Sequence, residues 1–245
     1  MYIKNTKLWP DISIIIPCYN EYENLGKLLL EIIPLINDYN LEFILVENGS
    51  KDQSRDYFKE HIENKFERIK TLYIDVNQGY GYGIKQGILQ AVGKYVCWIH
   101  ADMQVPVSEL RKFLDHISVS ASGVFFKAHR TNRSFIENFF TTGQALFSSL
   151  LFHTVLKDVA AVPMMLPKDF LSENFKYLPN DFAIDIYLYV KAVKSGLLCV
   201  WYPVKLQPRM AGDSSWNHGL ASRIKLSITT IRNSYRIKKM LKANA

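Results

Sequence analysis

Four short apolar runs, each followed by a polar loop and separated by helical stretches, constrain the fold more than any other feature of this chain. Ile12-Ser13-Ile14-Ile15-Ile16 is a β-branched run stopped by Pro17. Leu41 to Val46, Ile69 to Ile74 and Tyr95 to Ile99 follow as further strands. Between them, 23–33 places Leu25, Leu28, Leu29, Ile32 and Ile33 at helical spacing, with Pro34 bending or ending the helix. The segment 52–66 reads as a polar helix, and 81–92 as a helix opened by glycine. The strands are apolar throughout rather than alternating, so both faces of the sheet must be covered. Alternating strands and helices with that patterning predict an α/β fold: a mostly parallel central sheet with helices on both faces. Right-handed crossovers then put every strand-exit loop on one edge, where open α/β sheets bind ligands.

Beyond about residue 120 the rhythm loosens. A strand over 123–127, a long helix over 135–156, a short strand over 161–165, a helix over 181–194, a strand over 197–202 ended by Pro203 and a final helix over 219–241 are predicted. Residues 1–130 look like a nucleotide lobe and residues 131–245, ending in a basic helix, like an acceptor lobe, both within one compact domain.

The strand exits carry the chemistry. Pro17-Cys18-Tyr19-Asn20-Glu21 sets a turn in which Tyr19 can stack on a base or pack beneath it. In Glu47-Asn48-Gly49-Ser50-Lys51-Asp52, Asn48 offers both a donor and an acceptor to a base edge, while Asp52 suits a helix cap. Asn77-Gln78-Gly79-Tyr80-Gly81-Tyr82-Gly83 allows close backbone approach to a ligand, yet its spacing is not that of the dinucleotide fingerprint. At the fourth exit, Asp102 can hold a divalent cation against phosphates, with His100 and Gln104 two positions to either side; oxygen ligands fit Mg2+ or Mn2+. A packed His100 is the simpler alternative. Asp181 and Asp185 share one helix face four residues apart; one could orient or deprotonate an acceptor hydroxyl, while Asp181 could equally be an N-cap. The loop Arg209-Met210-Ala211-Gly212-Asp213-Ser214-Ser215-Trp216 resembles a diphosphate clamp.

The formal net charge of +7 suits phosphorylated substrates or anionic lipid. No helix-turn-helix, zinc-finger or RNP pattern is present, so no nucleic-acid partner is expected. Cys18, Cys97 and Cys199 are odd in number and widely spaced, which excludes a disulfide framework and points to buried thiols in a reducing compartment. With no signal-peptide pattern and no apolar run long enough to span a bilayer, the expected location is cytoplasmic, with any membrane contact peripheral. The last helix, with Ile224, Ile228, Ile231 and Tyr235 on one stripe among Arg and Lys, could lie on an anionic membrane surface or be the solvated face of an ordinary helix.

Taken in order, Ile14-Ile15-Ile16-Pro17-Cys18-Tyr19-Asn20-Glu21, Val46-Glu47-Asn48-Gly49-Ser50, Asn77-Gln78-Gly79 and Ala101-Asp102-Met103-Gln104 resemble the family 2 inverting glycosyltransferases, and within them the dolichol-phosphate mannose synthase-like branch. Pro179 to Phe182 and Arg209 to Trp216 extend the likeness. The resemblance implies a GT-A fold with an acceptor-side extension. It also implies metal-dependent inverting transfer from a nucleotide sugar to a polyprenyl-phosphate or lipid-linked glycan acceptor in envelope or polysaccharide biosynthesis. It assigns the nucleotide sugar to Pro17, Tyr19, Glu21, Glu47, Asn48, Gly79, Ala101, Asp102 and Ser215, and the metal to Asp102, Gln104 and His100. Asp181, Asp185 and Arg209 take the catalytic and acceptor-side roles. Two positions depart from the family pattern: Glu47-Asn48 replaces an acidic pair, and His100 stands where the metal motif has its first aspartate. UDP-sugars are slightly favoured over GDP-sugars. Transfer to a sugar hydroxyl, a non-catalytic nucleotide-sugar or glycan-binding protein, and a nucleotidyltransferase are the rival readings.

Overall fold

A computed structural model describes residues 11–117, 123–208 and 219–243, the backbone alone at 116–117 and 219–226. One seven-stranded sheet runs through the molecule. Its strands are β1 Ile12–Cys18, β2 Leu41–Asn48, β3 Ile69–Ile74, β4 Tyr95–Trp98, β5 Val124–Arg130, β6 Met164–Pro167 and β7 Leu198–Val204, in the spatial order β3-β2-β1-β4-β6-β5-β7. β1, β2, β3 and β4 are mutually parallel, as the apolar patterning requires. β6 runs antiparallel to both β4 and β5. Strands from both predicted lobes thus share one hydrogen-bonded sheet.

Eight α-helices accompany the strands among the described residues: α1 Tyr22–Asp38, α2 Ser54–Tyr57, α3 Tyr80–Gln90, α4 Arg111–Ile117, α5 Phe135–Phe152, α6 Lys168–Asn174, α7 Ala183–Lys194 and α8 Gly219–Ala243. Alternate strand residues feed two apolar layers. Ile14, Ile16, Phe43 and Leu45 pack with α1 and α4 on one face. Ile15, Ile44, Val46 and Trp98 pack with α3 and α7 on the other. Gly87 of α3 is needed for that second layer, because a Cβ there would stand 2.5 Å from Ile15 Cγ2.

Several boundaries differ from the sequence reading. Helix α1 continues through Pro34 to Asp38, because Pro34 and Leu30 lie on the exposed side and the freed Leu30 carbonyl can be hydrated. The predicted polar helix over 52–66 shortens to α2 followed by a π-turn at Phe58–Ile62, which turns both Phe58 and Ile62 into the core. α5 stops at Phe152 rather than 156, since His153 adopts a left-handed φ of 54°. β7 passes through Pro203, as an edge strand can because one side needs no N–H donor. α4 and α6 went unpredicted.

The three cysteines are free and buried. No described helix is long and apolar enough to cross a membrane.

Candidate active site

The exits of β1 and β2 are stitched together by side chain-to-backbone hydrogen bonds. Asn20, at a left-handed φ of 55°, accepts from Lys51 N through Oδ1 at 2.8 Å, and its own N–H donates to Ser50 Oγ at 3.1 Å. Glu21 N–H reaches Ser54 Oγ at 3.0 Å, and Tyr22 N–H reaches Asp52 Oδ2 at 3.1 Å. Asp52 therefore caps α1, across the loop, as well as the turn into α2, where Oδ1 accepts from Ser54 N at 3.0 Å. Residues 20–24, Asp52 and Gln53 line a small cleft of about 160 Å³.

Glu47 is fully buried and both its oxygens are engaged: Oε1 accepts from Ser50 N and Oε2 from Arg55 Nε, each at 2.6 Å. Arg55 is held in turn by Ile74 O and Asp75. The charge is balanced in place, and the loop it shapes presents the next residue, Asn48. Asn48 Nδ2 donates to Gly79 O at 3.3 Å, which leaves Oδ1 buried with no partner among the described residues.

The third exit is clamped between two others. Gly49, at φ 74°, sits where a Cβ would lie 2.5 Å from Asn77 N. Gly79, at φ 110°, and Gly81 sit where a Cβ would lie 2.4 Å from Asn180 O and Pro179 O respectively. Tyr82 N–H donates to Asn180 O at 2.9 Å, and Lys85 Nζ bonds Asn180 Oδ1 at 3.0 Å. The glycines thus serve backbone-to-backbone approach of two loops that are about a hundred residues apart in sequence.

At the fourth exit, Met103 takes a left-handed φ of 57° and Asp102 Oδ1 accepts from Gln104 N at 3.1 Å, a tight turn with the Asp102 carboxylate held at its bend. Gln207 N–H donates to Gln104 O at 2.7 Å, fastening the following chain beside this turn. The His100 ring lies 5.0 Å from that of Tyr80, which stacks on Phe182 at 4.6 Å. Tyr80 joins the third and fourth exits to the loop before α7. Its hydroxyl is buried without a partner among the described residues; burial first, then the carboxylates of Asp185 and Asp102, push its phenol well above the usual range.

The two aspartates have different settings. Asp181 Oδ1 accepts from Ala183 N at 3.0 Å and pairs with Arg236 of α8 at 2.6 Å. Burial pushes its carboxyl up, but the guanidinium and the Ala183 N–H outweigh this and leave it below the ordinary value. Asp185 is buried one turn further on and accepts from Trp98 Nε1 at 2.8 Å. Burial raises its pKa, against the pull of Lys127 and the indole N–H. Lys127 is itself buried, bonded to Ala161 O at 2.6 Å, over the Tyr189 ring, with its pKa brought down to about 8 by burial.

The structure therefore brings Glu21, Glu47, Asn48 and Gly79 into one bonded edge, with Pro17 the penultimate residue of β1. His100, Ala101, Asp102 and Gln104 occupy the adjacent exit and Asp181 the facing loop. Tyr19 projects, exposed, from the first loop, and Asp185 lies beneath the edge. Arg209 and Ser215 lie outside the described residues. Arg55, Tyr80, Trp98 and Lys127 were assigned no role from sequence. Only Tyr80, inside the glycine-rich motif, carried a local signal; Arg55 reaches from α2 to Glu47 and Ile74, and Trp98 and Lys127 meet partners far along the chain.

The strand-exit edge of an open α/β sheet is where such folds bind their ligands. Residues 13–162 match the family described as Glycosyl transferase family 2, and the chain belongs to that family: it is a glycosyltransferase. The dolichyl-phosphate beta-glucosyltransferase of Saccharomyces cerevisiae is 24% identical over 90% of this chain and 71% of its own length. The undecaprenyl-phosphate 4-deoxy-4-formamido-L-arabinose transferase of Pectobacterium atrosepticum is 31% identical over 44% of this chain and 34% of its own length. The chain thus aligns with only about a third of that second relative. Among solved structures, glucosyl-3-phosphoglycerate synthase of Mycobacterium tuberculosis, with Mn2+, UDP-glucose and phosphoglyceric acid, superposes with a TM-score of 0.70 at 16% identity, over 94% of this chain and 80% of that one. The fold is GT-A.

Proposed function

We propose that this glycosyltransferase moves a sugar from a nucleoside-diphosphate sugar onto a polyprenyl phosphate, inverting the anomeric carbon by direct displacement. The observation that carries the acceptor is the state of the two aspartates. Asp181 is locked to Arg236 and Asp185 to the Trp98 indole. A sugar hydroxyl needs a base to take its proton, whereas a phosphate is already a nucleophile. The names of the yeast and Pectobacterium relatives point to the same acceptor class.

On this reading Asn48 receives an imide N–H of the base, because its only unmet oxygen is an acceptor. Glu47 acts through the loop it shapes, and Pro17, Tyr19, Glu21, Gly79 and Ala101 wall the nucleotide. Arg209 and Ser215 hold the diphosphate. Asp181 and Asp185 position the acceptor side. The described residues contain no group of three His, Cys, Asp or Glu side chains able to hold a metal. A lone carboxylate suits Mg2+ or Mn2+ that takes its remaining ligands from diphosphate and water. Asp102 would hold such an ion, with Gln104 and His100 flanking it, and the ion would neutralise charge on the departing diphosphate. UDP is the favoured nucleotide, in keeping with the mycobacterial structure, and the expected location is cytoplasmic, with any membrane contact peripheral at that face.

The test is release of UDP or GDP from UDP-glucose or GDP-mannose, with and without a short prenyl phosphate, in Mn2+, Mg2+ or EDTA. Prenyl-phosphate-dependent, EDTA-sensitive UDP release is expected. Release that follows a sugar alcohol and ignores prenyl phosphate would overturn the acceptor assignment.

A further inference from the structure

Helices α5 and α8 pack side by side. Gln144 Nε2 donates to Ser227 Oγ at 3.4 Å, and the rings of Phe147 and Tyr235 meet at 5.8 Å. Helix α5 turns Ser148 and Phe152 to the core. Its other side is apolar and open. Phe135, Phe139, Leu146 and Leu150 fall within an arc of about 60° at 100° per residue, and all are exposed, Phe139 by 71% and Leu150 by 67%. Ile136 widens this stripe. So long an exposed apolar stripe is unusual on a soluble monomer and marks a contact surface.

Helix α8 indicates what covers it. Its exposed face interleaves Ile228, Ile231 and Tyr235 with Arg232, Arg236, Lys239 and Lys242. No Asp or Glu occurs between 219 and 243, and the only acid on α5, Glu137, is used in the capping box with Ser134. A second copy seated symmetrically would bring these cations against each other. An anionic bilayer offers hydrocarbon to the stripe and phosphate to the cations.

We propose that the α5–α8 face is the surface by which this protein docks on an anionic bilayer, with the Phe135–Leu150 stripe of α5 seated in the acyl boundary. The face leads to the site: Arg236 of α8 pairs with Asp181, beside Phe182, which stacks on Tyr80. Only the corollary that docking delivers the acceptor's phosphate to the strand exits rests on the acceptor reading above.

The experiment is co-sedimentation of the full chain with phosphatidylcholine vesicles, with and without phosphatidylglycerol, in the absence of any substrate, so that its outcome is independent of the acceptor. Wild type should pellet with the anionic vesicles and be released by salt. F139E/L150E should bind at least roughly tenfold more weakly, and R232E/K239E roughly tenfold more weakly. Both should keep the wild-type melting temperature, since all four side chains are exposed. Turnover of F139E/L150E on a short soluble prenyl phosphate should be unchanged. Wild type that ignores anionic vesicles, or F139E/L150E that binds them as wild type does, would overturn the proposal. So would a stripe variant that only converts a dimer to a monomer in sedimentation velocity.

Discussion

The two halves of the sheet differ in how much apolar surface they leave exposed. Around β1, β2 and β3 the exits satisfy one another: Asn20, Glu47, Ser50, Asp52 and Arg55 are bonded across loops, and the buried Glu47 carries its cation with it. Around β5 and α5 the helix leaves phenylalanines and leucines in the open, with cations beside them on α8. If the proposed donor site lies at this edge, a loop set bonded in advance costs little reorganisation when a nucleotide arrives. The exposed apolar face of α5 is the surface proposed above to dock on a membrane.

The largest expected effect lies at the bend of the fourth exit. Asp102→Asn keeps an acceptor for Gln104 N–H, so the turn should survive and the melting temperature stay close to wild type. Nucleoside diphosphate release should fall by roughly 10³-fold, the scale for losing a key charge-stabilising group. Retained release would remove Asp102 from the chemistry and leave the donor edge without its ion.

Breaking the self-sufficiency of the donor half comes next. Arg55→Met strips the buried Glu47 of its cation and should cost about 3 kcal/mol. Arg236→Met removes an ion pair that is nearly half exposed at both ends and should cost less than about 1 kcal/mol. Urea unfolding of the two variants measures the contrast. Equal costs would mean that burial does not separate these two ion pairs.

Lys127 sits at the join, on β5 and within electrostatic reach of Asp185 of α7. Its folded pKa, about 8, lies below the ordinary 10.5. Between those values the unfolded chain holds a proton that the folded chain has lost, so this group makes stability rise with pH across that window. Below pH 8 the full cost of burying the ammonium is present. Wild type should therefore gain on Lys127→Met, by on the order of 2 kcal/mol, as unfolding is measured from neutral pH to above 10. A pH-independent difference would show that the folded protein keeps Lys127 charged throughout.

How far the sequence disclosed all this follows the same division. β1 to β4 could be read closely, with β1 and β2 running on past their expected ends at Ile16 and Val46 to Cys18 and Asn48, because apolar runs and Pro or Gly stops are local signals. The exits carrying Glu47, Gly79 and Asp102 were found for the same reason. Arg55, Trp98 and Lys127 were not found, since none lies in a recognisable motif and each meets a partner from another element: Arg55 with Ile74, Trp98 with Asp185, Lys127 with Ala161. The helix expected over 135–156 forms over 135–152, but its spacing alone could not separate the side facing the core from the side facing out. Phe139 and Phe152 read alike until α8 and the sheet take their places.

The smallest effects sharpen the comparison best, because one substitution should change sign between the halves. Gly81→Ala places a Cβ 2.4 Å from Pro179 O and 2.7 Å from Asp181 O, both backbone atoms that cannot swing away. It should cost about 2 kcal/mol, lower the melting temperature by about 4–8 °C, and weaken nucleotide-sugar binding by parting the two loops. Gly143, in the middle of α5, has nothing within 4 Å of its would-be Cβ. Gly143→Ala should stabilise the helix by about 0.5–1 kcal/mol, since alanine loses less backbone entropy and meets no neighbour. Calorimetric melting of both variants decides the matter. A destabilising Gly143→Ala would mean that some element already lies close against α5, and the half that looks open would be closed by the chain itself.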